Sequence, residues 1–113
     1  MVKMNHYPRV VPFLHYFLFL LLAPALSASP SNAKGLATKY LCLVCHKVEG
    51  KLIGPPYREV ATKYRGITEA QPMLVAKIKK GGLGVWGTVP MPPMNVPDKD
   101  LEIIVAWILG GAK

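Results

Sequence analysis

The two cysteines of this 113-residue chain stand in one short run, Cys42-Leu43-Val44-Cys45-His46. Two thiols three positions apart can reach one edge of a planar group, and the imidazole that follows can lie beneath its centre. This is the spacing of c-type haem attachment, where both thiols add across the vinyl groups of one haem and the histidine ligates the iron. Three rival chemistries fit less well. A thioredoxin-like pair needs a βαβ framework, and the chain shows no run of buried strands. A zinc site needs four protein ligands, or three and a water; Cys and His together supply three, with no second Cys-x-x-Cys. A short-loop disulfide leaves His46 idle.

His6 and His15 lie in an N-terminal stretch that reads as an export signal, so the exported chain keeps no second histidine for the iron. The candidates for its other side are Met73, Met91 and Met94, or an open or water-bound position. A thioether is a soft neutral ligand that raises the haem potential. Met73 falls in an apolar helical pattern and reads as core filler. Met91 sits in Val89-Pro90-Met91-Pro92-Pro93-Met94. Prolines fix φ, so such a loop can hold a thioether in place without regular structure.

The elements that must position these residues read as helices. Ser31 or Asn32 can cap a first helix running to about Val44, with Ala33, Leu36, Ala37, Tyr40 and Leu41 at helical spacing. Gly50 to Pro56 is a loop. A short helix follows from Tyr57 to about Arg65, with Val60, Ala61 and Tyr64 on one face and Gly66 ending it. A third starts near Pro72 and reaches Lys80, where Gly81-Gly82 stops it. Gly81 to Pro97 is a long Gly/Pro loop, a type that is usually functional in a compact domain. Asp98 and Asp100 favour the start of a last helix, whose apolar face is Leu101, Ile104, Val105 and Ile108, with Gly110-Gly111 after it.

Length and composition fit one small domain. Lys3 and Arg9 precede an apolar run from Phe13 to Leu22, and Ala23-Pro24-Ala25-Leu26-Ser27-Ala28 supplies small residues for cleavage. Residues 1–28 therefore read as a signal peptide and 29–113 as the mature domain. Lys3 and Arg9 are the only charged side chains lost, so the formal charge of +8 becomes +6 on 85 residues. Only five aromatics remain: Tyr40, Tyr57, Tyr64, Trp86 and Trp107. So small a chain buries a limited core, and a bound group that fills it is consistent with the cysteine motif. A multi-domain enzyme, a coiled coil and a disordered polyelectrolyte are excluded.

Further motifs accompany the attachment site: Lys51-Leu52-Ile53-Gly54-Pro55-Pro56-Tyr57, Ile78-Lys79-Lys80-Gly81, Gly84-Val85-Trp86-Gly87, Val89-Pro90-Met91-Pro92-Pro93 and Val105-Ala106-Trp107-Ile108. In this order, over nearly the whole mature chain, they resemble the small bacterial class I cytochromes c of the short-chain periplasmic type. The resemblance implies an all-α fold of about four helices wrapped around one covalently attached haem c. It implies Cys42 and Cys45 as the thioether attachments, with His46 and Met91 as the axial ligands of the iron. The Pro55 carbonyl then accepts from the free ring nitrogen of His46, Trp86 donates its indole N–H to a haem propionate, and Lys77 is a propionate-binding cation. Two positions depart from the family pattern. Met94 stands where relatives commonly carry Asn, with Asn95 beside it as a substitute. Ala37 stands where they often carry an aromatic, a gap that Tyr40 or Trp107 can fill.

The function implied is electron transfer and not catalysis, because a His/Met iron keeps both ligands and offers no open position. Apolar walls from Leu43, Ile53, Ile78 and Val85 favour the less charged ferrous state. The expected protein is a monomeric periplasmic carrier between respiratory complexes and terminal reductases or oxidases. The alternatives are a cytochrome subunit of a periplasmic oxidoreductase complex, or a carrier tethered to the membrane by a retained signal segment. A haem sensor or peroxidase needs a labile sixth position, and a thiol oxidoreductase needs a reducible Cys42–Cys45 disulfide. Lys47, Lys51, Lys77, Lys79 and Lys80 flank the haem motifs and suit redox partners with acidic docking surfaces. Nucleic acid is not an expected partner.

Overall fold

A computed structural model describes residues 30–113; the expected signal segment lies outside the described residues. Five helical segments follow one another: α1 (Pro30–Lys39), α2 (Cys42–Cys45), α3 (Tyr57–Lys63), α4 (Ala70–Lys80) and α5 (Asp98–Leu109). The only β-type pairing among the described residues is an isolated antiparallel bridge between Gly82 and Met91. The all-helical expectation holds. None of these helices is long and apolar enough to cross a membrane.

α5 is the spine. α1, α3 and α4 each pack against it, and its face Leu101, Ile104 and Val105 is at most 1% exposed. Burying each such side chain contributes about 1.5–3 kcal/mol. Ala33 and Ala37 are buried on α1, and their small size lets the two helices approach closely. Asp98 and Asp100 lie in the first turn of α5, and Lys77, Lys79 and Lys80 in the last turn of α4, each placed favourably towards its helix dipole. Lys79 and Asp98 form an ion pair that ties these two ends together.

The first helix departs from expectation at both ends. It opens at Pro30 rather than after a Ser31 or Asn32 cap, since proline suits a first helical position that needs no N–H partner. It also stops at Lys39 instead of running to Val44. Leu41 adopts the left-handed conformation, φ 60° and ψ 18°, at a cost of about 1–2 kcal/mol for an L residue. The break starts the separate turn α2 and leaves Leu41 67% exposed. Residue types alone hide it, because leucine is a good helix former. Met73 is a second correction: it is half exposed on α4 and fills no core.

Tyr40 bridges the gap left by Ala37. Its hydroxyl donates to Asp100 Oδ2 at 2.6 Å, joining the end of α1 to the start of α5. Tyr40→Phe is expected to lower unfolding stability by about 1.5 kcal/mol, the low end for a hydrogen bond to a charged group because the site is half-buried. Urea unfolding at neutral pH checks this. A wild-type midpoint would mean that the bond contributes nothing net.

Candidate functional site

The elements enclose a cavity of about 640 Å³ with a largely apolar lining, inside the range of small-molecule and cofactor sites. Its floor includes Leu101, Ile104 and Ile108 of α5, with Val60 and Leu74 beside them. Cys42, Cys45 and His46 line it from α2 and its exit, and Met91 and Met94 from the loop 81–97.

The break at Leu41 is what turns α2 towards the cavity. Within that single turn Cys42 and Cys45 are three residues apart and share one side. Leu43, expected as a cavity wall, packs on the core instead, because a neighbouring position on a helix points about 100° away. Ile53, Ile78 and Val85 do line the cavity. Both cysteines are free thiols. Burial pushes the Cys42 thiol up, outweighing hydrogen bonding to its backbone and to Tyr57. It is therefore neutral at neutral pH.

The imidazole of His46 is held on several sides. Its Nδ1 lies 2.8 Å from the Pro55 carbonyl oxygen. A carbonyl can only accept, so Nδ1 is the donor, and the neutral tautomer this selects is the one whose Nε2 can bind a metal. The loop that brings Pro55 there is fixed by the Cys45 carbonyl, which accepts from Ile53 N at 3.2 Å and Gly54 N at 2.8 Å. Gly54 lies against the ring: a Cβ at this position falls 2.4 Å from Cε1 and 2.7 Å from Nδ1 of His46. The Tyr57 ring stacks on His46 at a centroid distance of 5.3 Å and an interplanar angle of 15°. The sequence places Gly54 in a loop and Tyr57 at a helix start, within one shared motif, and gives neither a contact with His46. A glycine beside a proline close after the histidine was the available signal; the stack has none, since nothing in the pattern pairs positions 46 and 57.

Gly54→Ala is expected to push the imidazole off Pro55, costing roughly 1–3 kcal/mol as an overpacking change and raising the midpoint potential, because a ring that loses its acceptor is a less basic ligand and stabilises ferric iron less. Thermal unfolding and potentiometry of the haem-loaded protein check it. Wild-type values in both would show that the backbone does not confine the ring.

The opposite loop is clamped despite its prolines. In Pro90-Met91-Pro92-Pro93-Met94 only the two methionines have a backbone N–H. Both donate: Met91 N to Gly82 O at 2.8 Å and Met94 N to Ile78 O at 3.1 Å. Gly82 N returns a bond to Met91 O at 2.9 Å. Met94 packs against the core cluster, whereas half-buried Met91 does not. That division leaves the Met91 sulfur free for a ligand. Met73 does not line the cavity, and neither does exposed Asn95, so the expected amide substitute beside Met94 is absent from the lining.

Trp86 and Lys77 both line the cavity. Lys63 of α3 lies 5.3 Å from the Trp86 ring centroid, a cation–π contact from α3 to the loop 81–97. Lys77 Nζ lies over Gly82, 3.0 Å from where a Cβ would stand. The donor set fits haem c: two thiols and an imidazole with one nitrogen free, a thioether on the facing loop, an apolar floor, and an indole and an ammonium for carboxylates.

Known proteins resemble this chain over most of the described residues. The family model described as cytochrome c matches residues 31–112. The chain is 51% identical over 89 residues to cytochrome c-551 of Allochromatium vinosum, covering 76% of this chain and 95% of that protein. It is 50% identical over 74 residues to cytochrome c-552 of Hydrogenobacter thermophilus, covering 66% of this chain and 76% of that protein. Its fold matches the crystal structure of wild-type Nitrosomonas europaea cytochrome c552 with a TM-score of 0.67 and 44% identity, over 69% of this chain and 98% of that one.

Proposed function

The chain belongs to the cytochrome c family, and we propose that it serves as a diffusible periplasmic carrier of single electrons between respiratory complexes and terminal reductases or oxidases. It is a small class I cytochrome c with one covalently attached haem c, an electron carrier and not an enzyme. When bound, the haem supplies a one-electron couple between ferric and ferrous iron. Cys42 and Cys45 attach it. His46 Nε2 and the Met91 sulfur, both lining the cavity, would ligate the iron. Pro55 holds the Nδ1 proton and with it the orientation of the imidazole. Trp86 and Lys77 take the propionates.

One observation carries this reading: an imidazole with Nε2 free faces a cavity whose other wall holds an uncommitted, clamped thioether. His46 and Met91, each held in place by the protein, would serve as ligands in either oxidation state, so electron transfer would need little rearrangement. The apolar floor favours the less charged ferrous site, which raises the potential.

Residues 1–28 act as the export signal in this reading, leaving a monomeric domain of residues 29–113. Lys51 and Lys77 at the cavity, with exposed Lys47 and Lys80, supply positive charge suited to acidic redox partners. Lys79 contributes less to that charge than its sequence position suggests, because Asp98 already pairs with it.

The test is an absorption spectrum of the exported protein, oxidised and reduced. A sharp reduced c-type spectrum, together with the weak far-red thioether-to-ferric band, supports His/Met ligation. A haem spectrum that lacks the band and shifts with CO or cyanide would sink the carrier reading in favour of ligand binding.

A further inference from the structure

We propose that Tyr57 is a positioning residue for the redox centre, its ring setting the plane of the His46 imidazole relative to the haem. The inference rests on the haem reading above and adds a residue to it.

The hydrogen bond to Pro55 does not by itself fix that plane. The coordination axis through Nε2 crosses the imidazole near the Cγ–Nδ1 bond. Turning the ring about this axis moves Nδ1 little, and a single hydrogen bond tolerates such a change. Fixing the plane takes a contact on the face of the ring. Tyr57 supplies one, 5.3 Å away and within 15° of parallel.

Tyr57 is itself immobilised. It is 4% exposed. As the first residue of α3, its N–H donates to Lys47 O at 2.8 Å. Trp107 meets its ring edge-on at 5.6 Å and 74°. Trp107 is buried in turn, and its Nε1 donates to Lys113 O at 3.0 Å. An aromatic chain thus runs from α5 through α3 to the ligand, transmitting the rigidity of the core to one dihedral angle at the iron. Aromatic pairs in stacked and edge geometries are favourable beyond their buried area, so each ring has a preferred orientation against the next. Ligand plane matters because the half-filled iron orbital of the ferric state follows it, which groups around a metal ligand can tune.

The experiment compares ferric holoproteins of wild type, Tyr57→Leu and Tyr57→Phe by EPR and by proton NMR of the haem methyls. Tyr57→Leu is expected to shift the largest g value and to change the order of the hyperfine-shifted methyl resonances. Tyr57→Phe keeps the ring and is expected to restore both. A role in packing alone lowers the unfolding midpoint of Tyr57→Leu without changing either spectrum. A folded Tyr57→Leu with attached haem, the far-red band and wild-type spectra overturns the proposal. Should Tyr57→Leu fail to fold, Trp107→Phe, which keeps an aromatic beside Tyr57 but loses the indole anchor, decides by the same spectra: a shift supports the proposal and none overturns it. Wild type lacking the far-red band would instead overturn the His/Met reading on which the inference stands.

Discussion

Met91→Ala is expected to abolish the far-red thioether-to-ferric band and to open the iron to CO and cyanide, while the haem remains covalently attached. The midpoint potential falls by a sizeable part of the ~0.8 V that axial ligands span across haem proteins, because a soft neutral ligand gives way to water or to nothing. Met94→Ala is the control. Its half-buried side chain packs against the core, so this variant loses stability, by less than the ~2–5 kcal/mol of a fully buried Met-to-Ala change, and keeps the band. Absorption spectra and potentiometry of both variants check the assignment. A band that survives in Met91→Ala and disappears in Met94→Ala reverses it.

The second large effect comes from a residue that touches no cofactor. Gly81 ends α4 with φ +67°, and a Cβ there falls 2.5 Å from Met91 O and 2.7 Å from Pro93 N. Gly81→Ala therefore adds about 1–2 kcal/mol of left-handed strain to about 1–3 kcal/mol of overpacking. The atoms it strikes are backbone and cannot swing aside. The loop has to move off α4, and the Gly82–Met91 bridge opens with it. We expect a loss of roughly 2–5 kcal/mol in stability and a weakened far-red band, with His46 and both cysteines undisturbed. Gly84→Ala separates the two causes, since Gly84 has φ +95° with nothing within 4 Å of an added Cβ. It should lose stability and keep the band. Equal loss of the band in both variants would mean that loop flexibility, rather than the contact at Gly81, holds the thioether.

The Tyr57 and Gly81 contacts share a feature. Each joins segments distant in the chain by a fit between surfaces, 46 with 57 and 81 with 91. In both cases the residue type at one position is unremarkable until its neighbour is known. Met91 and His46 are different, because proline spacing and thiol spacing are local and the chemistry follows from them directly.

Local pattern in the chain suffices for the attachment chemistry, the limits of α3, α4 and α5 to within about two residues, and the apolar face of the last helix. Each rests on short-range rules: reactive groups at fixed spacing, prolines that remove donors, apolar residues at helical intervals, glycines that end helices. The prolines around Met91 also favour it over Met73 and Met94 for the iron's other side. Tertiary structure adds how the three are packed: Met94 lies against the core, Met73 is half exposed away from the cavity, and Met91 lines the cavity without joining the core. It also decided the break at Leu41, the stack of Tyr57 on His46 and the close approach at Gly54 and Gly81. Those depend on where the chain meets itself, and the energy of such a meeting belongs to the pair of surfaces rather than to either stretch of sequence.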